Sequence, residues 1–196
     1  MKDTAPVQLV FMLEEESAMH FLERLLPAVL PSRVSYLCIP HQGKEHLRKS
    51  IPIKLKQWLA PNAFFVILHD QDNHPDCKQL KRELQALCAG SRHAPLIRII
   101  CRELEAWYFG DLDAVQKAFP EFKAAGYKRR ARFRNPDSIV KPSDHLQRMV
   151  KGFTKRKAAI SIPRHMAIDK NTSSSFKHVI SGLRKVIATR TNIPGN

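Results

Sequence analysis

The segment AFFVILHDQD, residues 63–72, decides the fold class, because a continuous apolar run ends abruptly in two acids. Such a run is typical of a β-strand that is buried on both faces of a parallel sheet. Similar runs occur at residues 7–13, 34–39 and 96–101, and apolar residues with helical spacing fill the segments between them. This alternation predicts an α/β fold with a mainly parallel four-stranded sheet, helices on its faces and right-handed crossovers.

The helices expected from this spacing differ between the two parts of the chain. In the first part they cover residues 17–30, 44–59, 76–87 and 105–119, and Pro52 is a candidate break in the second of them. The remainder has a basic, turn-rich stretch over residues 121–143 and shorter helices over 143–151, 155–161 and 175–188. We therefore expect an α/β catalytic domain over residues 1–122 and a basic, mostly helical C-terminal extension over 123–196 that packs on it.

The positive charge of the chain is concentrated in that C-terminal extension. The chain has 33 Lys and Arg against 18 Asp and Glu, a net charge of +15. Residues 1–122 hold 15 of each sign, so the 18 basic and 3 acidic residues of 123–196 account for the excess. The two densest basic stretches supply the candidate nucleic-acid contacts Lys128, Arg129, Arg130, Arg132, Arg134, Lys155 and Lys157. This pattern favours a nucleic acid as partner, with another acidic partner, a lipid surface or a merely solvated face as alternatives.

Membrane-spanning and disulfide-rich classes do not fit the composition. No apolar run reaches the ~20 residues that a membrane-spanning helix needs, and the N-terminal residues lack the pattern of a signal peptide. The four cysteines, Cys38, Cys77, Cys88 and Cys101, form no CxxC pair and no closely spaced set of zinc ligands. Reduced thiols of this kind predict a cytoplasmic location.

Acidic residues follow three of the four predicted strands. They are Glu14, Glu15 and Glu16 after the first strand, Asp70 and Asp72 after the third, and Glu103 and Glu105 after the fourth. Because parallel strands end at one edge of the sheet, where such folds bind ligands, these acids should converge. Converging carboxylates repel one another, and Mg²⁺ or Mn²⁺ would relieve that repulsion and activate water for phosphodiester cleavage. Each group also has a simpler explanation: the glutamates as acids that are favoured in the first turn of a helix, and Asp70 and Asp72 as loop and cap residues before the next helix.

A glutamate after the first strand and a DxD sequence after the third make the chain resemble the Toprim domain of topoisomerases, primases, small nucleases and phage-defence effectors. More closely, the chain resembles domain-of-unknown-function family 4276, whose Toprim-like members are often encoded beside an ATPase. The segments that carry this resemblance are residues 13–17, 68–81, 103–111, 135–139 and 171–176. They run from the first strand to the last helix, and DQD together with ELEAW is the most specific combination.

The resemblance implies roles for the first acids. Glu14 takes the place of the Toprim glutamate, which is proposed as general acid or base, and is here also a candidate metal contact. Asp70 and Asp72 take the place of the metal-binding pair. Glu15 stands where Toprim domains often have glycine, which leaves open whether Glu14, Glu15 or Glu16 points into the site.

Two further blocks match the same family. Glu103 and Glu105 match an acidic block for which we expect an additional metal contact. Asn171, Ser173 and Ser175 match a terminal polar motif that is expected to contact phosphate or to brace the site. The histidines near these blocks, His69, His74 and His93, are expected at the surface or in loops.

Two functions are compatible with these features. The first is a Mg²⁺-dependent Toprim-type nuclease that cleaves nucleic-acid phosphodiester bonds as an anti-phage effector, together with an ABC- or AAA-type ATPase. The second is a non-catalytic nucleic-acid-binding subunit of such an ATPase complex. An oligomer of identical chains is compatible with both.

Overall fold

Four parallel strands form the centre of the computed structural model, which describes residues 7–191. The strands lie in the order β2-β1-β3-β4, and every neighbouring pair is parallel. Their bounds are Gln8–Leu13 for β1, Ser35–Pro40 for β2, Ala63–Asp70 for β3 and Leu96–Ile100 for β4. The predicted α/β fold with a parallel four-stranded sheet is therefore confirmed.

Nine α-helices surround this sheet within the described residues. Those of the first part are α1 (Glu16–Leu25), α2 (Lys44–Gln57), α3 (Cys77–Leu87), α4 (Ala106–Phe109) and α5 (Leu112–Ala118). Those of the C-terminal part are α6 (Ala125–Lys128), α7 (Pro142–Met149), α8 (Lys155–Ser161) and α9 (Ser174–Thr191). Among residues 7–191, no helix is long and apolar enough to cross a membrane.

Each face of the sheet has its own hydrophobic core, because side chains alternate along a strand. Leu9, Phe11 and Leu13 of β1 pack toward α1, α4 and the C-terminal helices. Val10 and Met12 pack on the opposite face toward α2 and α3. The first core continues across residue 122 to α9, so the basic C-terminal part shares a core with the sheet and is held against it.

The structure differs from the sequence prediction in two helices. Pro52 lies inside a continuous α2, because the buried residues Leu47, Ile51 and Leu55 anchor both sides of it. The helix expected over 105–119 is instead two helices that are separated at Gly110. A Cβ atom on Gly110 would lie 2.0 Å from an Asn171 oxygen, so this close contact leaves room only for glycine. The second helix begins after Asp111, whose side chain accepts a hydrogen bond from Ala114 N.

Candidate active site

Two of the predicted acids meet at the carboxyl edge of the sheet. Glu14 directly follows β1, and Asp70 is the last residue of the adjacent parallel strand β3. The Asp70 backbone N–H donates a hydrogen bond of 2.7 Å to Glu14 Oε2. Glu16, in contrast, is exposed. Of the three glutamates, Glu14 is the one whose carboxylate meets Asp70, whereas the Glu15 carboxylate accepts hydrogen bonds from Ser17 and Lys155.

Glu14, Asp70, Asp72 and Glu105 form what we call the acid cluster. Burial raises the pKa of Glu14 to about 7, against the hydrogen bond from Asp70, and the charge of Asp72 adds to this increase. The pKa of Asp70 lies well above its usual range, first through burial and then through repulsion by Glu14, Glu105 and Asp72. The charged forms of Glu14 and Asp70 are thus disfavoured, first by burial and then by the neighbouring acids.

Glu105 and Tyr108 form the buried floor of the acid cluster. Both side chains are fully enclosed, with Glu105 1% exposed and Tyr108 0% exposed. Glu105 Oε2 and the Tyr108 hydroxyl have no hydrogen-bond partner among the described residues. Burial raises the pKa of Glu105 to about 7. Their spacing of three residues at the start of α4 is visible in the sequence, but their burial next to Asp70 is not.

Lys155 brings positive charge from the C-terminal extension into the acid cluster. It begins α8, which packs on α1 through small buried residues such as Ala158 and Ala159. Its Nζ lies 3.3 Å from Glu15 Oε1. Although partial burial works against its charge, Glu105, Glu15 and Asp70 together hold the pKa of Lys155 above its usual range. In the sequence Lys155 is a candidate nucleic-acid contact, and no pattern there predicts its proximity to the acids.

Asp72 lies in a strained recess beside the cluster. Its side chain pairs with Lys44, with 3.1 Å between Lys44 Nζ and Asp72 Oδ2. Asp72, Arg102 and Lys141 are the described non-glycine residues with left-handed backbone, at φ values of 51°, 62° and 49°. All three line one recess of about 160 Å³ that also includes Lys44. Strained backbone of this kind costs about 1 kcal/mol or more per residue and is concentrated at functional sites.

His69 is buried in β3, so the expectation that it lies at the surface is wrong. Its side chain is 3% exposed, and Nδ1 lies 2.6 Å from the Asp70 carbonyl oxygen and 3.5 Å from Glu14 Oε2. Burial lowers the pKa of His69. The apolar run continues through this position in the strand, which is the sequence signal that indicates an interior location. His69 therefore contacts both the Asp70 backbone and the Glu14 carboxylate from inside the sheet.

A cleft of about 240 Å³ gives access to the acids from solvent. It is lined by residues of β3, the following loop and α2, including Asp70, Asp72, Lys44 and Arg48. Carboxylates and cations thus face the same opening. Lys44 pairs with Asp72 and Arg48 with Glu83, so the cations of this cleft are held beside acids.

The acid cluster fits a divalent cation in charge, but its ligands are not gathered around one point. Among residues 7–191, no three His, Cys, Asp or Glu side chains are arranged to hold a metal ion. One cause is the pairing of Asp72 with Lys44. Glu103 is also diverted, because its Oε2 accepts a hydrogen bond of 3.1 Å from Ser143 N at the start of α7. Glu14 and Asp70 remain the best candidate metal ligands, and Asp72 could join them once released from Lys44.

The polar motif over residues 171–175 forms an internal network. Asn171, Ser173 and Ser175 are 0%, 0% and 4% exposed. Asn171 Nδ2 donates to the Trp107 carbonyl oxygen at 2.9 Å, and both serine hydroxyls donate to Asp137 Oδ1, at 2.7 and 2.9 Å. The expected phosphate contact does not fit side chains that are buried and paired in this way. Of the two roles expected for the motif, the structure supports bracing.

The basic stretch over residues 128–134 lies on the surface, with its five cations exposed. Lys128 pairs with Asp113, and the guanidinium groups of Arg130 and Arg132 lie 4.5 Å from the Tyr127 ring centroid and 4.6 Å from the Phe133 ring centroid, respectively. Such stacking orients guanidinium groups without neutralising their charge. Lys157 lies over the Phe119 ring instead, at 5.3 Å. Much of the positive charge thus remains open to a polyanion.

A known protein family matches the part of the chain that forms this site. Residues 13–184 match the family model described as Domain of unknown function (DUF4276). No curated protein and no solved structure matches the chain significantly. The matched range contains the acid cluster, Lys155, the basic stretch and the buried polar network. The chain therefore belongs to the DUF4276 family.

Proposed function

We propose that the protein is a Toprim-type, Mg²⁺-dependent nuclease that hydrolyses phosphodiester bonds of nucleic acids. The observation that carries this proposal is the convergence of Glu14 and Asp70, 2.7 Å apart at the Glu14 Oε2 to Asp70 N hydrogen bond, beside Asp72 and Glu105. Glu14, Asp70 and Glu105 ionise less readily than usual because they are buried and lie close to other acids, and a divalent cation at this ligand-binding edge of the parallel sheet would favour their charged forms.

The residues of the cluster have distinct proposed roles. Glu14 and Asp70 would hold the metal ion, with Asp72 as a further ligand, and the ion when bound polarises the phosphate and lowers the pKa of a water molecule. Glu14, with a pKa of about 7, can also accept or donate a proton near neutral pH. Lys155 can compensate negative charge on the phosphate, because its Nζ is held near the same acids.

Surface charge supports nucleic acid as the substrate class. The extension over residues 123–196 carries 18 basic and 3 acidic residues. The exposed cations of residues 128–134 would contact backbone phosphates, which contribute most of the affinity but no sequence selectivity. The family resemblance to Toprim proteins encoded beside ATPases supports a role in phage defence with an ATPase partner.

A second candidate is a non-catalytic nucleic-acid-binding subunit of an ATPase complex. The observation that favours it is the pairing of Asp72 with Lys44 and of Glu15 with Lys155. In that case Lys44 and Lys155, rather than a metal ion, balance the negative charge of Asp72 and Glu15. The two candidates differ in whether the isolated protein turns over a nucleic acid when Mg²⁺ or Mn²⁺ is present.

Cleavage of labelled oligonucleotides by the purified protein tests the proposal. Single-stranded DNA, duplex DNA and RNA are incubated with Mg²⁺, with Mn²⁺ or with EDTA, alone and with an ATPase encoded nearby. We expect divalent-dependent cleavage that Asp70→Asn abolishes while binding of the oligonucleotide is unchanged or stronger. Glu16→Gln is the matched control, because Glu16 is exposed and stands two residues from Glu14.

Two results would contradict the nuclease proposal. One is unchanged cleavage by Asp70→Asn, which would place the activity elsewhere or in a contaminant. The other is tight nucleic-acid binding without any divalent-dependent cleavage, with or without the ATPase, which would support the binding subunit instead.

A further inference from the structure

A cavity on the C-terminal side of the molecule has the properties of a second anion site. Its volume is about 550 Å³, within the usual range for small-molecule sites. The walls come from α4, α5, the basic stretch and the segment before α9. The cavity shares no lining residue with the cleft and the recess beside the acid cluster. It is therefore separate from the candidate active site.

Cations from separate segments line this cavity without partners. Lys117 lies in α5, Arg134 at the end of the basic stretch and Lys170 before α9. Among residues 7–191, none of these three side chains has a hydrogen-bond or ion-pair partner. His165 adds a fourth nitrogen-bearing side chain to the wall. Three unpaired cations around one concavity repel one another, and an anion would reverse that repulsion.

The acids in the same cavity are already engaged. Asp111 accepts hydrogen bonds from Ala114 N at 3.1 Å and from Ala167 N at 2.7 Å. Asp113 forms an ion pair with Lys128. Both carboxylates keep their charge, but the lining holds the four cations Lys117, Lys128, Arg134 and Lys170 against these two acids, so the wall is net positive.

The inner wall of the cavity is apolar and firmly built. Phe109 and Phe133 stack with their ring centroids 5.0 Å apart and their planes at 24°. At the back, Thr172 N and Thr172 Oγ1 donate to the Gly110 carbonyl oxygen at 3.0 and 3.3 Å. An apolar wall beside a positive rim suits a ligand with an apolar, planar part and a phosphate group.

We propose that this cavity binds a phosphate-bearing nucleotide, either free or as the phosphorylated end of a nucleic acid strand. The phosphate would lie among Lys117, Arg134 and Lys170, and the sugar or base would contact the apolar wall. The site does not depend on a metal ion or on cleavage. A free nucleotide there would act as an effector, whereas a bound strand end would select substrates by their terminal phosphate.

Binding of defined probes to the full chain in EDTA separates this proposal from the nuclease proposal. Isothermal titration calorimetry compares AMP with adenosine, and a 5′-phosphorylated oligonucleotide with its 5′-hydroxyl counterpart. We expect the phosphate to tighten binding in at least one of the two pairs. Preference for AMP assigns a free nucleotide, and preference confined to the oligonucleotide pair assigns a strand end. Asp70→Asn should bind as the wild type does, so loss of cleavage would not affect this result.

A matched pair of double variants locates the binding. Arg134→Ala with Lys170→Ala removes two unpaired cations of the cavity and should weaken phosphate-dependent binding about tenfold or more. Arg148→Ala with Lys185→Ala removes the same charge from exposed positions outside the cavity, and it should change phosphate-dependent binding by no more than about twofold. The proposal is overturned if neither probe pair shows a phosphate preference, or if both double variants weaken it equally.

Discussion

Replacing Glu14 by glutamine should make the folded protein more stable at alkaline pH. The Glu14 side chain is 13% exposed, and its burial raises the pKa from 4.5 to about 7. A glutamine keeps the shape and can still accept the hydrogen bond from Asp70 N. It cannot ionise, so the variant avoids the cost of a buried negative charge.

The direction of the pH dependence follows from that raised pKa. The folded state holds the Glu14 proton more tightly than the unfolded state, so this contribution to stability is fully present below pH 4.5 and is lost as the pH rises through about 7. A difference between 4.5 and about 7 corresponds to about 3 kcal/mol in the free energy of unfolding. Glu14→Gln should therefore equal the wild type near pH 4 and exceed it by up to about 3 kcal/mol near pH 8.

Urea unfolding followed by circular dichroism, in EDTA and at several pH values, measures this difference directly. Titrating groups far from Glu14 cancel when the variant is subtracted from the wild type, whereas Asp70, whose pKa the Glu14 charge raises, changes in the variant and adds to the difference in the same direction. Glu16→Gln is the matched control, because it makes the same substitution at an exposed position two residues away. A Glu14→Gln difference that stays flat between pH 5 and pH 8 would refute the reasoning. Mg²⁺ near pH 8 should stabilise the wild type more than the variant.

Three further outcomes follow from other parts of the structure. Gly110→Ala should destabilise the fold by several kcal/mol in thermal unfolding, because the new Cβ would lie 2.0 Å from a side-chain oxygen of Asn171. Gly126→Ala is the control and should be tolerated, because its Cβ would have nothing within 4 Å; equal melting temperatures of the two variants would contradict this packing. Lys155→Met should lower the free energy of unfolding in urea by about 1 kcal/mol near pH 8, because Lys155 compensates several acids at once. Lys151→Met, which removes a lysine paired with Glu121 alone, should lower it less, and equal losses in the two variants would argue against this role of Lys155. Charge reversal within residues 128–134 should make nucleic-acid binding less dependent on salt. The slope of the logarithm of the binding constant against the logarithm of the salt concentration should fall by about 0.7 to 0.9 for each phosphate that the variant no longer neutralises, and an unchanged slope would place the binding surface elsewhere.

The sheet and its acidic edge could be predicted from the sequence because they depend on local patterns. The central strands β1 and β3 are nearly continuous apolar runs and carry buried residues along nearly their whole length, as expected when both faces are buried, whereas the edge strands β2 and β4 are only partly buried. Parallel pairing then places the residues that follow β1 and β3 at the same edge, although Glu14 and Asp70 are 56 positions apart.

The details that the sequence does not show depend on long-range contacts. Lys155 reaches Glu15 across 140 positions because α8 packs on α1, and no local pattern encodes that approach. The close contact that requires glycine at position 110 comes from Asn171, which follows much later in the chain. Ser173 looks like a candidate ligand in the sequence, yet its burial against Asp137 makes it structural.

Anomalous diffraction from a crystal grown with Mn²⁺ tests the central claim most directly. We predict a peak about 2.1 Å from carboxylate oxygens of both Glu14 and Asp70. We also predict that Lys44 and Asp72 move apart from their present 3.1 Å. A crystal that contains Mn²⁺ elsewhere but none between Glu14 and Asp70, with Lys44 still on Asp72, would contradict the proposed metal site.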